Sequence, residues 1–224
     1  MSRPKGTGTT RTVAAALAVL ALTVAGACSA NAGPADIPTE AVVRIEAPAC
    51  NGLTGLEATG VALTDDLVAT VAHTFDRVQG FTLIDVDGRR LDGELVLLDV
   101  DRDIALIRPE APLPRVLELG RPVDGASGVV VSAADPDALD VKAATVLRQA
   151  SLTLDGVGER QGIEIEAEIR SGDSGAPLLD DDHRVIGMIF ASSNPTGRGW
   201  AISSAELEAA LDQVGPPVEL GCGR

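Results

Sequence analysis

The feature that most constrains the fold is the rhythm of the chain from Ala41 to Ser203. Short β-branched runs are each closed by Gly, Asp or Pro before a helix could develop. AVVRIEA, GVALTDDLVATVAH, FTLIDVDGRRLDGELVLLDV, DIALIRP, GVVVSAAD, VKAATVLRQASLTL, IEIEAEIR and APLLDDDHRVIGMIFASS succeed one another in this way. Asp65-Asp66 reads as a turn between two apolar runs, and Asp87-Gly88 as a hairpin signal. IEIEAEIR, Ile163–Arg170, alternates with a period of two, as a half-buried strand does, with Glu164, Glu166 and Glu168 on its solvated face. Only SSAELEAALDQVG reads as helix: Ser203 and Glu206 have capping-box spacing and Gly215 suits the stop. The pattern predicts an all-β sandwich or barrel pair. Two strand-rich halves, about 41–115 and 120–202, are joined by the Pro-rich APLPRVLELGRP. The sequence contains no repeat of fixed period, Gly-rich phosphate loop, dinucleotide fingerprint or EF-hand.

A core for such a chain must be built from Val, Ile, Leu and Ala. Apolar residues make up 45% of the 224, but aromatics only 2%, with one Trp and no Tyr. So few rings exclude a base-stacking surface. The 18 Lys and Arg stand against 33 Asp and Glu, a net charge of −15, and Arg3, Lys5 and Arg11 all precede the apolar N-terminal run. The remainder is more acidic still and repels phosphate backbones and anionic lipid, which speaks against a nucleic-acid partner.

The N-terminus has the grammar of an export signal. MSRPKGTGTTR is basic, Val13 to Ala27 is apolar, and no acid appears before Asp36. The apolar run is short for a membrane-spanning helix. Residues 1–27 are expected to be a signal peptide, and 28–40, which include SANAGPADIPTE, a disordered tether. VAGAC, Val24 to Cys28, resembles a bacterial lipobox, in which Cys28 would carry a lipid and tether the protein to a membrane. AGA also suits an ordinary cleavage site, and both readings stand. Export places Cys50 and Cys222 in an oxidising compartment, where they are either a disulfide or two free thiols. Two His and no close Cys pair leave no metal-ligand set.

The chemistry-bearing stretch is RSGDSGAPLL, Arg170 to Leu179. Gly, Asp and Ser also build ordinary turns. A Ser hydroxyl becomes a nucleophile only beside a base, usually His, that is itself held by an anion. His183, in DDDHR, reads as a surface turn residue. His73 ends LVATVAHTF, where an apolar strand meets a loop.

Together ATVAHTF (Ala69–Phe75), DRDIALIR (Asp101–Arg108) and GDSGAPL (Gly172–Leu178) resemble the three signatures of chymotrypsin/trypsin-like serine proteases, in that family's order. The spacing is similar to that of the high-temperature-requirement proteases. VVRIEAPAC, GRGWAIS and a Cys near the C-terminus look more like the periplasmic trypsin-like proteases of actinobacteria. The resemblance covers about residues 41–222 and implies two packed six-stranded antiparallel β-barrels with a short C-terminal helix. It further implies His73 as general base, Asp103 as its partner and Ser174 as nucleophile, with Asp99 and Asp101 as competitors for the acid on the same run. By the same resemblance the N–H groups of Gly172 and Ser174 form the oxyanion hole, and Phe190, Ala191 and Ser192 bind substrate. The implied activity is cleavage of polypeptides through an acyl-enzyme, with no cofactor or metal. Glu168 stands where the trypsin branch places its specificity acid, yet also belongs to the alternating Glu set. Ala176 replaces the second Gly of the usual GDSGGP. That departure, together with the lack of an obvious specificity determinant, keeps open the alternative of a trypsin-fold binding protein that no longer cleaves.

Overall fold

The computed structural model describes residues 37–50, 55–153, 159–193 and 196–222. The expected signal peptide, most of the expected tether and Cys28 lie outside the described residues. A 3-10 turn at Thr39–Ala41 leads into β1 (Val42–Ala47), β2 (Leu56–Thr64), β3 (Leu67–Thr70), a 3-10 turn at Ala72–Phe75, β4 (Thr82–Ile84), β5 (Arg90–Leu91), β6 (Gly93–Asp99) and β7 (Ile104–Pro109). The second half holds β8 (Ser127–Ser132), β9 (Asp140–Thr153), β10 (Glu159–Glu166), β11 (Pro177–Leu179), β12 (Val185–Ser193) and β13 (Arg198–Ser203), followed by helix α1 (Ser204–Leu211).

The N-terminal strands form one antiparallel sheet in the order β5-β4-β1-β2-β3-β7-β6, and the C-terminal strands a closed six-stranded barrel, β10-β13-β12-β11-β8-β9. The chain is thus all-β apart from its short C-terminal helix. The N-terminal half departs in detail from a six-stranded barrel. It has seven strands, and its edge strands β5 and β6 are not paired with each other. The extra strand comes from the Asp87-Gly88 turn, where Gly88 adopts φ +77° and β5 folds back onto β4, Leu83 opposite Leu91.

Alternation along the strands sorts the aliphatic side chains into three cores. Val43, Ile45, Val68, Leu83 and Ile107 fill the N-terminal half, and Val130, Val146, Ile163, Ile165 and Ile189 fill the barrel. Between the halves pack Val61, Leu106, Val131, Leu179, Met188, Ile202 and Leu207 of α1. Each fully buried aliphatic side chain contributes about 1.5–3 kcal/mol, so this middle cluster fixes the halves against each other and defines the cleft between them. The tail after α1 returns to the N-terminal half: Gly215 N–H donates to Val96 O and Val218 N–H to Leu95 O. There Cys222 forms a disulfide with Cys50, Cα atoms 5.3 Å apart and 172 residues distant in sequence. The two-free-thiol reading is therefore excluded. Closing so long a loop contributes about 5 kcal/mol in the chain-entropy account.

Two local expectations are corrected. The alternating stretch is strand only to Glu166, and Glu164 is not solvated but 4% exposed. In the closed barrel it lies opposite Arg148 of β9, and both Arg148 and Arg198 of β13 pair with its carboxylate. The helix start has no capping box: Ser203 makes no side-chain cap bond, and Glu206 instead accepts the Gln161 N–H at 2.7 Å.

Candidate active site

β3 is buried along its whole length and delivers the chain into the 3-10 turn that carries His73. The imidazole is half exposed (49%), whereas Asp103 is largely buried (12%). Asp103 ends the turn between β6 and β7 with φ +58°, a left-handed conformation that Asp adopts more readily than most residues. Its carboxylate accepts the His73 backbone N–H at 2.9 Å and faces Nδ1 at 2.9 and 3.1 Å. Asp103 thus holds both the backbone and the ring of His73. Of the competing acids, Asp99 is engaged by Arg102, accepting its N–H at 2.9 Å and its Nε at 2.6 Å, and Asp101 is exposed.

Ser174 comes from the opposite half, on the loop between β10 and β11. Its Oγ lies 3.2 Å from His73 Nε2. With Nδ1–H donated to Asp103, the neutral ring presents Nε2 as acceptor for the Ser174 hydroxyl proton. The loop owes its shape to two glycines in left-handed conformations, Gly172 (φ +92°) and Gly175 (φ +85°). A Cβ on Gly175 would lie 1.9 Å from the Thr59 carbonyl oxygen. Ala176 is different. It is not among the positive-φ residues, is fully buried, and packs its methyl in the barrel core. The methyl that departs from GDSGGP is therefore taken up among the barrel-core side chains.

The amides of this loop divide cleanly. Asp173 N–H donates to Arg170 O, Gly175 N–H to Ile189 O and Ala176 N–H to Asp173 O. Among the described residues the N–H groups of Gly172 and Ser174 have no backbone acceptor. These two N–H groups, the serine's own and that of Gly172, are the donors expected for a developing oxyanion.

The expected substrate-binding residues lie on β12. Ala191 and Ser192 pair with Trp200 and Gly199 of β13 on one side. On the other side β11 pairing ends at Pro177 opposite Met188, which leaves a strand edge beside the serine. Phe190 is 7% exposed, and its ring lies under the Arg160 guanidinium, 4.8 Å away. It thus packs between the halves, where its side chain supports the edge rather than lining an open pocket. Glu168 is 75% exposed and pairs with Arg170 at 2.6 Å, which holds its carboxyl below the usual range.

The profile of the family described as trypsin-like peptidase domain matches residues 58–188. The chain belongs to that family. It is 26% identical over 195 residues to the serine protease Rv3671c of Mycobacterium tuberculosis, covering 83% of this chain and 48% of that protein. It is also 26% identical over 167 residues to a probable periplasmic serine endoprotease, DegP-like, of Brucella suis, covering 70% of this chain and 33% of that one. The chain thus spans half or less of the length of these relatives. The crystal structure of the M. tuberculosis Rv3671c protease in its active form superposes with a TM-score of 0.75 at 25% identity, covering 82% of this chain and 86% of that one.

Three residues of this trypsin-like site escaped the sequence reading. Thr59, fully buried on β2, clamps the serine loop: its N–H donates to Ser174 O (2.8 Å) and its hydroxyl to Gly172 O (3.2 Å). Thr70 in turn donates to Thr59 O at 2.8 Å. Nothing in EATGVAL announces this role. Lys142 of β9 is buried and forms an ion pair with Asp173, which is also buried and whose Oδ2 accepts the Arg170 N–H. It is the one lysine beyond Lys5 in a chain whose other cations are arginines, and that was its available signal. Arg160, the third, is fully buried on β10.

Proposed function

We propose that this protein is an exported serine endopeptidase in which Ser174, His73 and Asp103 form the catalytic triad. The observation that carries the reading is the 3.2 Å approach of Ser174 Oγ to His73 Nε2, with the Asp103 carboxylate 2.9 Å from Nδ1. A peptide laid along the edge at Phe190, Ala191 and Ser192 would present its carbonyl carbon to Ser174. As Oγ attacks, His73 Nε2 takes the hydroxyl proton, and Asp103 stabilises the imidazolium through Nδ1–H. The tetrahedral oxyanion is received by the N–H groups of Gly172 and Ser174; in general, loss of one such donor costs about 2.7–4 kcal/mol of barrier lowering. His73 then protonates the leaving amine. Water, deprotonated by the same nitrogen, hydrolyses the acyl-enzyme and restores Ser174. Apart from substrate and water, these steps use groups of the chain itself.

The substrate is accordingly a polypeptide. Export is supported by the basic-then-apolar N-terminus and by the Cys50–Cys222 disulfide, with residues 1–27 as signal peptide and Cys28 as the candidate lipid anchor in the cell envelope. The non-cleaving alternative drew on Ala176 and on the lack of an obvious specificity determinant; the Ala176 methyl packs in the barrel core, which speaks against the first ground. The test is Ser174→Ala. Wild-type protein should cleave casein and react covalently with a fluorophosphonate, and the variant should do neither. Equal cleavage by the variant would refute the assignment.

A further inference from the structure

Arg160 is the most deeply buried cation among the described residues, 1% exposed, and sits where the two halves meet the triad. Burying an unpaired guanidinium costs several kcal/mol, and the group does not escape by deprotonating. Yet among the described residues no carboxylate lies within 4.0 Å of it, and its Nε has no partner. Its one hydrogen bond runs from Nη1 to the carbonyl oxygen of Arg102, at 2.6 Å. That carbonyl belongs to the peptide leading into Asp103, the residue held at φ +58°.

The surroundings explain how the charge is tolerated. Burial pushes the guanidinium below its ordinary value, and Asp103, Glu206 and Asp99 oppose that shift, in this order. Glu206 approaches from α1, Asp99 and Arg102 from the β6–β7 turn, and the Phe190 ring lies against the guanidinium plane. One side chain of the barrel therefore touches the peptide that sets Asp103 and the β12 residue beside the serine, and carries positive charge toward the Asp103 carboxylate.

We propose that Arg160 is a positioning residue for the His73–Asp103 pair, holding the Arg102–Asp103 peptide from the opposite half of the molecule. It does not touch substrate, and its effect passes through Asp103. The assignment rests on the triad reading above for its consequence in catalysis, but not for its structural content.

The test compares Arg160→Met, Arg160→Gln and Arg160→Lys, each first checked for cooperative unfolding. The first readout is the downfield proton resonance of His73 Nδ1–H, identified by its loss in His73→Ala, which needs no turnover. The second is the rate of fluorophosphonate inactivation, together with kcat and KM on a peptide substrate. In Arg160→Met the resonance should move or broaden. Inactivation and kcat should fall at least about tenfold, with KM within about twofold. Arg160→Lys, which keeps charge and a donor, should recover part of both, and Arg160→Gln should fall between. A folded Arg160→Met with the wild-type resonance and an inactivation rate within twofold of wild type would overturn the proposal. Should Arg160→Met not fold, Arg160→Gln decides by the same criteria. If wild-type protein fails to react with the phosphonate, the protease reading fails, while the resonance still reads what Arg160 does to Asp103.

Discussion

Replacing Lys142 by Met tests whether the serine loop depends on a buried ion pair. Asp173 is 1% and Lys142 9% exposed, and Asp173 stands between the two residues whose N–H groups are free, Gly172 and Ser174. Breaking a buried pair by removing one partner costs about 3–5 kcal/mol, because the other charge is left uncompensated. The lower end applies here. Asp173 keeps its 2.6 Å bond from the Arg170 N–H, and Lys142 divides its charge with half-exposed Asp140 at 3.4 Å. Rearrangement of the loop would express about 3 kcal/mol as a fall of about two powers of ten in kcat/KM, with global stability unchanged. A loop that stays in place would instead leave the penalty to the whole fold, lowering the urea midpoint by about 1.5 M at a slope of about 2 kcal/mol/M. Urea unfolding and hydrolysis of a peptide p-nitroanilide by the same preparation measure the two shares. Asp173→Asn added to Lys142→Met should recover at least about 2 kcal/mol of the combined loss, since neither charge is then stranded. Single-variant values of kcat/KM and midpoint both equal to wild type, or strictly additive effects in the double variant, would refute the reasoning.

Three further perturbations follow from local geometry and charge. Gly175→Ala places a methyl 1.9 Å from the Thr59 carbonyl in a left-handed conformation, so it should lower stability by at least about 3 kcal/mol in urea unfolding. Ala176→Gly, one residue on, should cost only about 1 kcal/mol for a lost buried methyl. The Glu164 carboxyl is held below its ordinary value chiefly by the Arg198 hydrogen bond, with burial opposing and Arg148 adding to it. A depressed folded-state value means stability fully present above the usual carboxylate range and lost as pH falls through that range and below. Glu164→Gln should therefore flatten the acid side of the pH–stability curve, and an unchanged acid limb in thermal melts from pH 6 to 3 would contradict the pairing.

The strand succession was legible because strand and turn chemistry are local: β-branched runs, the Asp65-Asp66 turn and the Asp87-Gly88 turn each carry their own signal. His73 and Ser174 were legible only through the resemblance of their motifs to a known family. Each sits at the end of a recognisable local pattern, and the spatial meeting follows once two β halves pack. The misreadings have the opposite character. Glu164 alternates like a surface residue, and only the barrel brings Arg148 and Arg198 over it from strands on either side.

The sequence by itself determined the all-β class and the two halves, because these depend on periodicity and turn residues; the three residues that meet in the cleft were expected only through the family resemblance of their short motifs. Only the tertiary structure decided what holds that cleft in shape. Thr59 reaches a loop 113 residues away, Lys142 a carboxylate 31 residues away and Arg160 a carbonyl 58 residues away. Such contacts leave no periodic trace. Their partners are set by which strands become neighbours, and by burial that makes one hydroxyl, one ammonium and one guanidinium find partners in the cleft.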